Sequence, residues 1–511
     1  MNTRTIHRSI SINALSNLVR YGAYIAVTFL LTPFIIRQLG ESSYGLWVLI
    51  LSLVGYAGIL EMGVQTAVIK LVSQHHGAED TRALNQVVMT ALLFFLGIGL
   101  TAAAVCWLVL PHFVERFVAD PLGRETVRQL LVILGINVLF IFPNYVFTGM
   151  VYGLQAYHLK NFIDIVVCLL NAVLTYLLLS RGFGITGMAI AKTVIDAAAL
   201  VSGYLLCKQV HPQLSINPTL VSRACFRELF VLGGKIFSSA TMSRLANNAE
   251  PLIITSVLST SWTAVFSIPR RLVDYVKEIS WALTTGFMPM FSQLQGQNDR
   301  SRIKAIYSQY TRYLILMVTP VLVAIGVYGV PFIALWVGPE LARKGEVVVY
   351  LLTGAFFLEG LQPLIWRMFI GIGRVDFLVK VSALGSAGYI IAAVVLINLT
   401  GIAGVALSAL LVAFCTQLAY LFPLAGYLET TVIAHLAECQ LNPVLLNLVY
   451  LAELLLMAHF FQSASYGAII LQVLAGLPLY LLLAYFFGLK PDERGLLVDS
   501  LRTRVPMFSK G

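Results

Sequence analysis

The sequence predicts an all-α polytopic membrane protein of about 14 transmembrane helices, arranged as two six-helix halves plus two C-terminal helices. Three observations carry that prediction. Of 511 residues, 59% are hydrophobic and only 11% charged, whereas soluble domains carry about 25% charged residues. Apolar runs of spanning length, about 20 residues, recur along the whole chain. Two short motifs also recur in the same order at nearly one offset. The net charge of +10 does not point to nucleic acid, because the basic residues are scattered and form no stripe. The six cysteines show no CxxC spacing and read as packing residues, with no disulfide or metal framework.

Taken in order, the spans cover roughly 12–36, 45–69, 84–110, 128–152, 161–180, 184–207, 226–250, 252–291, 308–336, 346–370, 375–398, 401–425, 441–461 and 465–487. The first run is too long for a signal h-region and has no small-residue cleavage site after it. The connections are too short to hold a soluble catalytic domain. Lys and Arg in them number about 18 on the side shared by both termini and about 7 on the other, which predicts cytoplasmic termini. Trp47, Trp107, Trp262 and Trp336 fall at outer span ends, where an aromatic belt is expected.

Three spans carry unusual polarity. The first has a stripe of Asn13, Asn17, Arg20, Tyr21, Tyr24, Thr28 and Thr32 at three- and four-residue steps, expected to avoid lipid and face a cavity. In the sixth, Lys192 and Asp196 lie one turn apart and are expected to neutralise each other. The stretch Trp262 to Phe291 is apolar enough for a bilayer, yet holds Arg270, Arg271, Asp274, Lys277 and Glu278. At 100° per residue these fall within an arc of about 120°. Leu272, Val276, Ile279, Leu283 and Phe287 cover the other face. Charges at membrane depth cost several kcal/mol unless they meet water or a partner. This helix is therefore expected to line a wet cavity.

The repeat organises the chain. Ser73-Gln74-His75-His76-Gly77-Ala78-Glu79-Asp80 and Ser292-Gln293-Leu294-Gln295-Gly296-Gln297-Asn298-Asp299 share Ser, Gln, Gly and Asp at an offset of 219. Gly184-Ile185-Thr186-Gly187-Met188-Ala189 and Gly401-Ile402-Ala403-Gly404-Val405-Ala406 match at 217. The halves are read as 1–210 and 211–426, followed by 427–511 with an interfacial linker, two extra helices and a cytoplasmic tail. An even number of spans per half implies halves of the same orientation, related about the membrane normal, with a substrate cavity near the midplane. In the linker, Tyr427 to Gln440 puts Leu428, Val432, Leu436 and Cys439 on one face and reads as an interfacial helix. At the offset of 219, Arg270 and Arg271 correspond to Leu51 and Ser52, and Asp274 to Gly55. Recognition chemistry is thus loaded onto the second half.

The Gly40-Glu41-Ser42-Ser43-Tyr44-Gly45-Leu46-Trp47 turn after a polar first span, the two Gly-Ile-x-Gly turns and the two-times-six-plus-two layout resemble the Wzx-like polysaccharide flippases. These belong to the multidrug/oligosaccharidyl-lipid/polysaccharide exporter superfamily. The resemblance covers the whole chain and includes no catalytic motif. It implies alternating access that moves an undecaprenyl-diphosphate-linked oligosaccharide, such as an O-antigen, capsule or exopolysaccharide repeat unit, to the outer leaflet. It also implies a bacterial cytoplasmic membrane location, a monomer in membrane lipid, and polymerase and glycosyltransferase partners of the same pathway.

Against that background, Arg270, Arg271 and Lys277 are candidates to hold a diphosphate, since Arg offers paired planar donors to phosphate oxygens. The competing reading is an internal ion-pair network with Asp274 and Glu278. Lys235, which has Ser239 on its face and no carboxylate within a turn, joins the cationic set with Arg20 and Arg244. Glu61 and Glu359 are candidates for coupling to a Na+ or H+ gradient or to membrane potential. For each, a simple bond to a neighbouring helix is the alternative. No cofactor is expected. Gly149 and Gly153 form a GxxxG that reads as close packing. Two other functions compete. A multidrug exporter on this scaffold would want an acidic cavity, and a membrane polymerase or glycosyltransferase would need a large loop.

Overall fold

The computed structural model describes residues 3–57, 63–114, 121–284, 287–360, 362–491 and 493–495. Within these, side chains are described except at 3–15, 17–18, 113–114, 121–122, 232–247, 289 and 293. All regular structure among the described residues is helical. Eleven helical stretches have the length and composition to cross a membrane. One of them, α1 (Thr3–Ala57), is broken by Gly40 at φ 77°, ψ 166° and therefore holds the first crossing and the start of the second. Later in the chain, two more helices, 223–257 and 260–283, are long enough but too polar for that composition test. With α1 divided and these two added, eleven become fourteen crossings among the described residues.

The chain forms two compact units, Met1–Ala264 and Val265–Gly511. In the first, α1 is followed by α2 (Val64–Gly77), α3 (Thr81–Ala104), the short α4 (Leu110–Val114), α5 (Pro121–Gly153), α6 (Tyr157–Ser180), α7 (Gly184–Val210) and α8 (Arg223–Val257). The unit extends past α7 because α8 packs on α1, α2 and α3. The boundary falls inside α9 (Thr260–Leu283). The second unit continues with α10 (Phe287–Gly296), α11 (Arg300–Val337), α12 (Pro339–Glu359), α13 (Gln362–Gly371), α14 (Val375–Thr400), α15 (Ile402–Tyr427), α16 (Val432–Leu436), α17 (Asn442–Phe460) and α18 (Tyr466–Leu483). Each unit repeats one packing scheme. In the first, α3 packs on α5, α5 on α7, α6 on α7 and α2 on α5. In the second, α11 packs on α12, α12 on α15, α14 on α15 and α10 on α13.

The repeated motifs have physical causes. Each Ser-Gln motif ends a helix and starts the next. Glu79 and Asn298 both adopt φ 57°. Asp80 then accepts from the Ala83 N–H at 2.9 Å, and Asp299 from the Arg302 N–H at 3.0 Å, each satisfying an orphan helix donor. In the Gly-Ile-x-Gly turns, Gly184 and Gly401 have φ of 56° and 65°, which disfavours a side chain. A Cβ on Gly404 would lie 2.2 Å from the Leu396 carbonyl oxygen, and one on Gly187 2.8 Å from Phe183 Cβ. A third matched turn is invisible in the letters. Gln155 at φ 60° and Gly373 at φ 77° close α5 and α13 with equivalent hydrogen bonds, Ala156 N–H to the Val151 oxygen at 3.0 Å and Arg374 N–H to the Phe369 oxygen at 2.9 Å. Just before them, Gly153 and Gly371 let another helix approach. Their Cβ positions would lie 2.9 Å from the Ile69 oxygen and 2.8 Å from the Met288 oxygen.

Several sequence expectations change. The stretch Trp262 to Phe291 is two helices, α9 and α10, so Phe287 does not extend the α9 face. The second span is likewise divided between the end of α1 and α2. The linker helix does not lie apart from the spans, because α16 runs through a π turn, Ala437–Leu441, directly into α17. Trp47 and Trp336 are 8% and 1% exposed. Packing against protein claims those rings, whereas Trp107 is exposed. The last two crossings are fastened to α11 by tyrosines at both the apolar body and the polar tip. Tyr328 Oη donates to the Leu454 oxygen at 3.2 Å and Tyr480 Oη to the Leu316 oxygen at 3.0 Å.

The close glycine contacts carry a stability prediction. Gly153→Ala and Gly371→Ala each destabilise by roughly 1–3 kcal/mol through overpacking. Gly97→Ala, with nothing within 4 Å of the added methyl, is neutral or stabilising by up to about 1 kcal/mol. Unfolding midpoints of the purified variants in detergent check the order.

Candidate functional site

The charged strip of α9 lies against the break between α12 and α13. Val265, Ile268, Val273 and Val276 bury one side of the helix, while Ile279 and Leu283 are exposed. The charged residues lie between these extremes, all half-buried. Arg270 Nε is 3.2 Å from Asp274 Oδ1, one turn further on. Lys277 Nζ is 3.4 Å from Oε2 of Glu359, the last residue of α12. Ser280 donates to the Gly360 carbonyl oxygen at 3.0 Å, which satisfies an acceptor freed where α12 stops. Thr284 bonds back to the carbonyls of Ser280 and Trp281 at 3.2 and 3.1 Å, a pattern that accompanies helix bending, and α9 ends there. Beyond the break, α13 sets the Arg367 guanidinium 5.3 Å from the centre of the Trp281 ring. Its Nε is buried without a hydrogen-bond partner.

The arrangement thus gathers Arg270, Arg271, Lys277 and Arg367 with Asp274, Glu278 and Glu359 on three helices of one unit. Interrupted helices at membrane depth are tolerated where they are covered by protein or line a cavity. In transporters they form substrate and ion sites. In the sequence Arg367 is a single cation within the apolar run 346–370, with no local pattern that marks it. The signal that would have singled it out is the third turn, whose offset of 218 between Gln155 and Gly373 pairs Arg367 with Gly149.

The other candidates lie elsewhere. Arg20 belongs to the first unit, where its guanidinium stacks 4.5 Å from the Tyr21 ring centre and its Nε is buried without a hydrogen-bond partner. Thr32, at the end of the same stripe, bonds to the Thr28 carbonyl at 2.6 Å and is satisfied within its own helix. Lys192 Nζ is 2.8 Å from Asp196 Oδ2, which also accepts from Asn137 Nδ2 at 2.8 Å. Nearby polarity missed from sequence includes the Lys160–Asp164 ion pair on α6 and the Asn161 amide that donates to Ser16 on α1 at 2.8 Å. Lys235 and Arg244 sit on α8, but their side chains lie outside the described residues, as does Glu61 altogether. Gly149 and Gly153 pack against α2, with Val68 Cγ1 at 3.0 Å from the Gly149 Cβ position. At the end of α7, the His211 ring meets His76 edge-on at 6.4 Å. Burial, and then the His76 charge, holds its imidazole below the ordinary histidine value.

Two repeated helical units with charge at interrupted helices define the architecture of a membrane transport protein. The family model described as "Polysaccharide biosynthesis protein" matches residues 34–342, more than half of the chain, and the chain belongs to that family. It is 19% identical over 404 residues to a putative O-antigen transporter of Shigella flexneri, covering 78% of this chain and 94% of that one. It is 21% identical over 406 residues to a probable flippase, AglR, of Haloferax volcanii, covering 78% and 80%. Among solved structures, the fold is similar to the lipid II flippase MurJ in an inward closed conformation. The TM-score is 0.71 at 14% identity, over 93% of this chain and 98% of that one. It is also similar to an inward-facing multidrug resistance MATE family transporter of the MOP superfamily, with TM-score 0.65 at 15% identity over 82% and 99%.

The Lys192–Asp196 pair yields a double-mutant test. Lys192→Ala strands a carboxylate, so it lowers the unfolding midpoint more than Lys192→Ala combined with Asp196→Ala. The expected coupling is about 0.5–3 kcal/mol. A double variant no better than the worse single variant would show that the two residues act independently.

Proposed function

We propose that this protein is a flippase that carries an undecaprenyl-diphosphate-linked oligosaccharide across the bacterial cytoplasmic membrane by alternating access. The observation that carries the reading is the cationic strip of α9 set against the α12–α13 break. The family and the relatives described as an O-antigen transporter and flippases support it. The excess of Lys and Arg in the connections on one side supports cytoplasmic termini. The pathway's polymerase and glycosyltransferases are the natural partners of such a step.

In this reading, Arg270 and Arg271 grip the diphosphate. Their planar donors match its oxygens, and charge-assisted bonds are roughly twice as strong as neutral ones. Arg367, with an unspent Nε, adds a donor from α13. Without substrate, Asp274 and Glu359 hold Arg270 and Lys277 at 3.2 and 3.4 Å, so neither of these two cations is stranded. Substrate entry exchanges those carboxylates for phosphate. A ligand held equally in two states shifts nothing. Release therefore belongs to the state in which the carboxylates recover the cations. This exchange also gives Glu359 a role if a Na+ or H+ gradient drives the cycle, because neutralising it frees Lys277. A multidrug exporter on this scaffold is disfavoured, since cations outnumber acids in the cluster. A polymerase or glycosyltransferase is disfavoured by the short connections.

Arg270→Gln and Arg271→Gln, made singly, are expected to lower glycan export about tenfold to a hundredfold at unchanged membrane level. Each removes a charged hydrogen bond worth about 1.5–3 kcal/mol. Surface glycan measured in cells lacking the native gene checks this, and normal export by both variants would sink the proposal.

A further inference from the structure

A second polar site lies in the Val265–Gly511 unit, apart from the α9 strip, where α11 begins and the segment after α18 returns to it. Ser301, Lys304, Ser308 and Arg312 follow one face of α11 and line an open pocket of about 420 Å3. Arg312 has only 5% of its side chain exposed. It donates through Nη2 to Glu493, but its Nε and Nη1 are buried with no partner. A buried donor left unpaired costs about 1–3 kcal/mol, and more when charged. Lys304 is half-buried on the same face and has no ion-pair partner among the described residues.

The carboxylates at the pocket are already committed. Glu438 is held by Lys490 Nζ at 2.8 Å. Glu493 takes Arg312 and the Lys490 backbone N–H, the latter at 2.9 Å. Among the described residues that line the pocket, Lys304, Arg312 and Lys490 outnumber Glu438 and Glu493 by one. The free donors and the excess positive charge therefore ask for an additional anion.

We propose that this pocket binds a phosphate group, with Arg312 Nε and Nη1 and Lys304 Nζ as its donors. A planar guanidinium with two free N–H groups suits paired phosphate oxygens, and a nearby ammonium adds a point charge. The phosphate belongs either to an anionic phospholipid headgroup or to a soluble phosphate. Bound there, it ties the start of α11 to the segment that follows the last crossing.

The test uses the full chain in nanodiscs of phosphatidylcholine, with phosphatidylglycerol or inorganic phosphate added in separate arms, and reads the thermal unfolding midpoint. A rise with phosphatidylglycerol alone assigns a lipid headgroup, and a rise with inorganic phosphate in phosphatidylcholine discs assigns a soluble phosphate. Lys304→Gln is expected to raise the half-saturating concentration about tenfold, the loss of one charge-assisted bond, and Arg312→Gln to abolish the response. Lys304→Gln keeps the test decisive if Arg312→Gln fails to fold by stranding Glu493. The proposal is overturned if neither anion shifts the wild-type midpoint, or if Lys304→Gln responds like wild type.

Discussion

A charge inside a bilayer must find water, a counter-charge or a hydrogen bond, and that requirement governs where this chain places its polar side chains. The ion-paired charges meet it in two ways, while Arg20 and Arg367 lie over aromatic rings. Lys160–Asp164, Lys192–Asp196 and Arg270–Asp274 are spaced one turn apart on their own helices. Such pairs add only about 0.2–0.5 kcal/mol on an exposed helix. Their value here lies in avoiding a stranded charge, a penalty several times larger. They need no tertiary structure to form. Lys277–Glu359 and Arg312–Glu493 instead join separate elements, so each fixes one segment against another. The cross-element pairs therefore tie α9 to the end of α12, and α11 to the chain beyond the last crossing.

This division explains what could be read from the letters. The one-turn Lys192–Asp196 pair was legible because helical geometry alone dictates it, and the Arg270–Asp274 contact was open as part of a network. Lys277–Glu359 and Arg312–Glu493 join residues 82 and 181 positions apart, and no local pattern announces them. Crossings were legible for the same reason that their breaks were not. Twenty apolar residues define a span, but a stop inside it depends on which backbone carbonyls find donors. The end of α9 is marked by Ser280 and Thr284 hydroxyls bonding to carbonyls, and both are unremarkable as letters. The Ser-Gln turns could be matched because Asp80 and Asp299 cap helices and are constrained in identity. The Gln155 and Gly373 turns share only backbone geometry, and two different residues satisfy it. Tryptophan misled at Trp47 and Trp336 because a large amphipathic ring is as much at home in a core as at an interface.

The repeat also shows how one scaffold acquires a polarised site. At corresponding turns the two units keep the same backbone bonds and the same small residue, Gly153 in one and Gly371 in the other. One turn earlier they diverge. Gly149 lets α5 lie close against α2, whereas its counterpart Arg367 extends to the Trp281 ring. Along the preceding helix, Leu51 and Ser52 stand where the second half has Arg270 and Arg271. The positions that hold the fold together are shared, and those that carry charge are not. Internal symmetry therefore supplies matched helices that can be interrupted in the same places. The substrate proposed above, with a single diphosphate, needs only one strongly cationic wall. Duplicating that wall in the other half would add desolvation cost at each extra charge without a second anion to offset it.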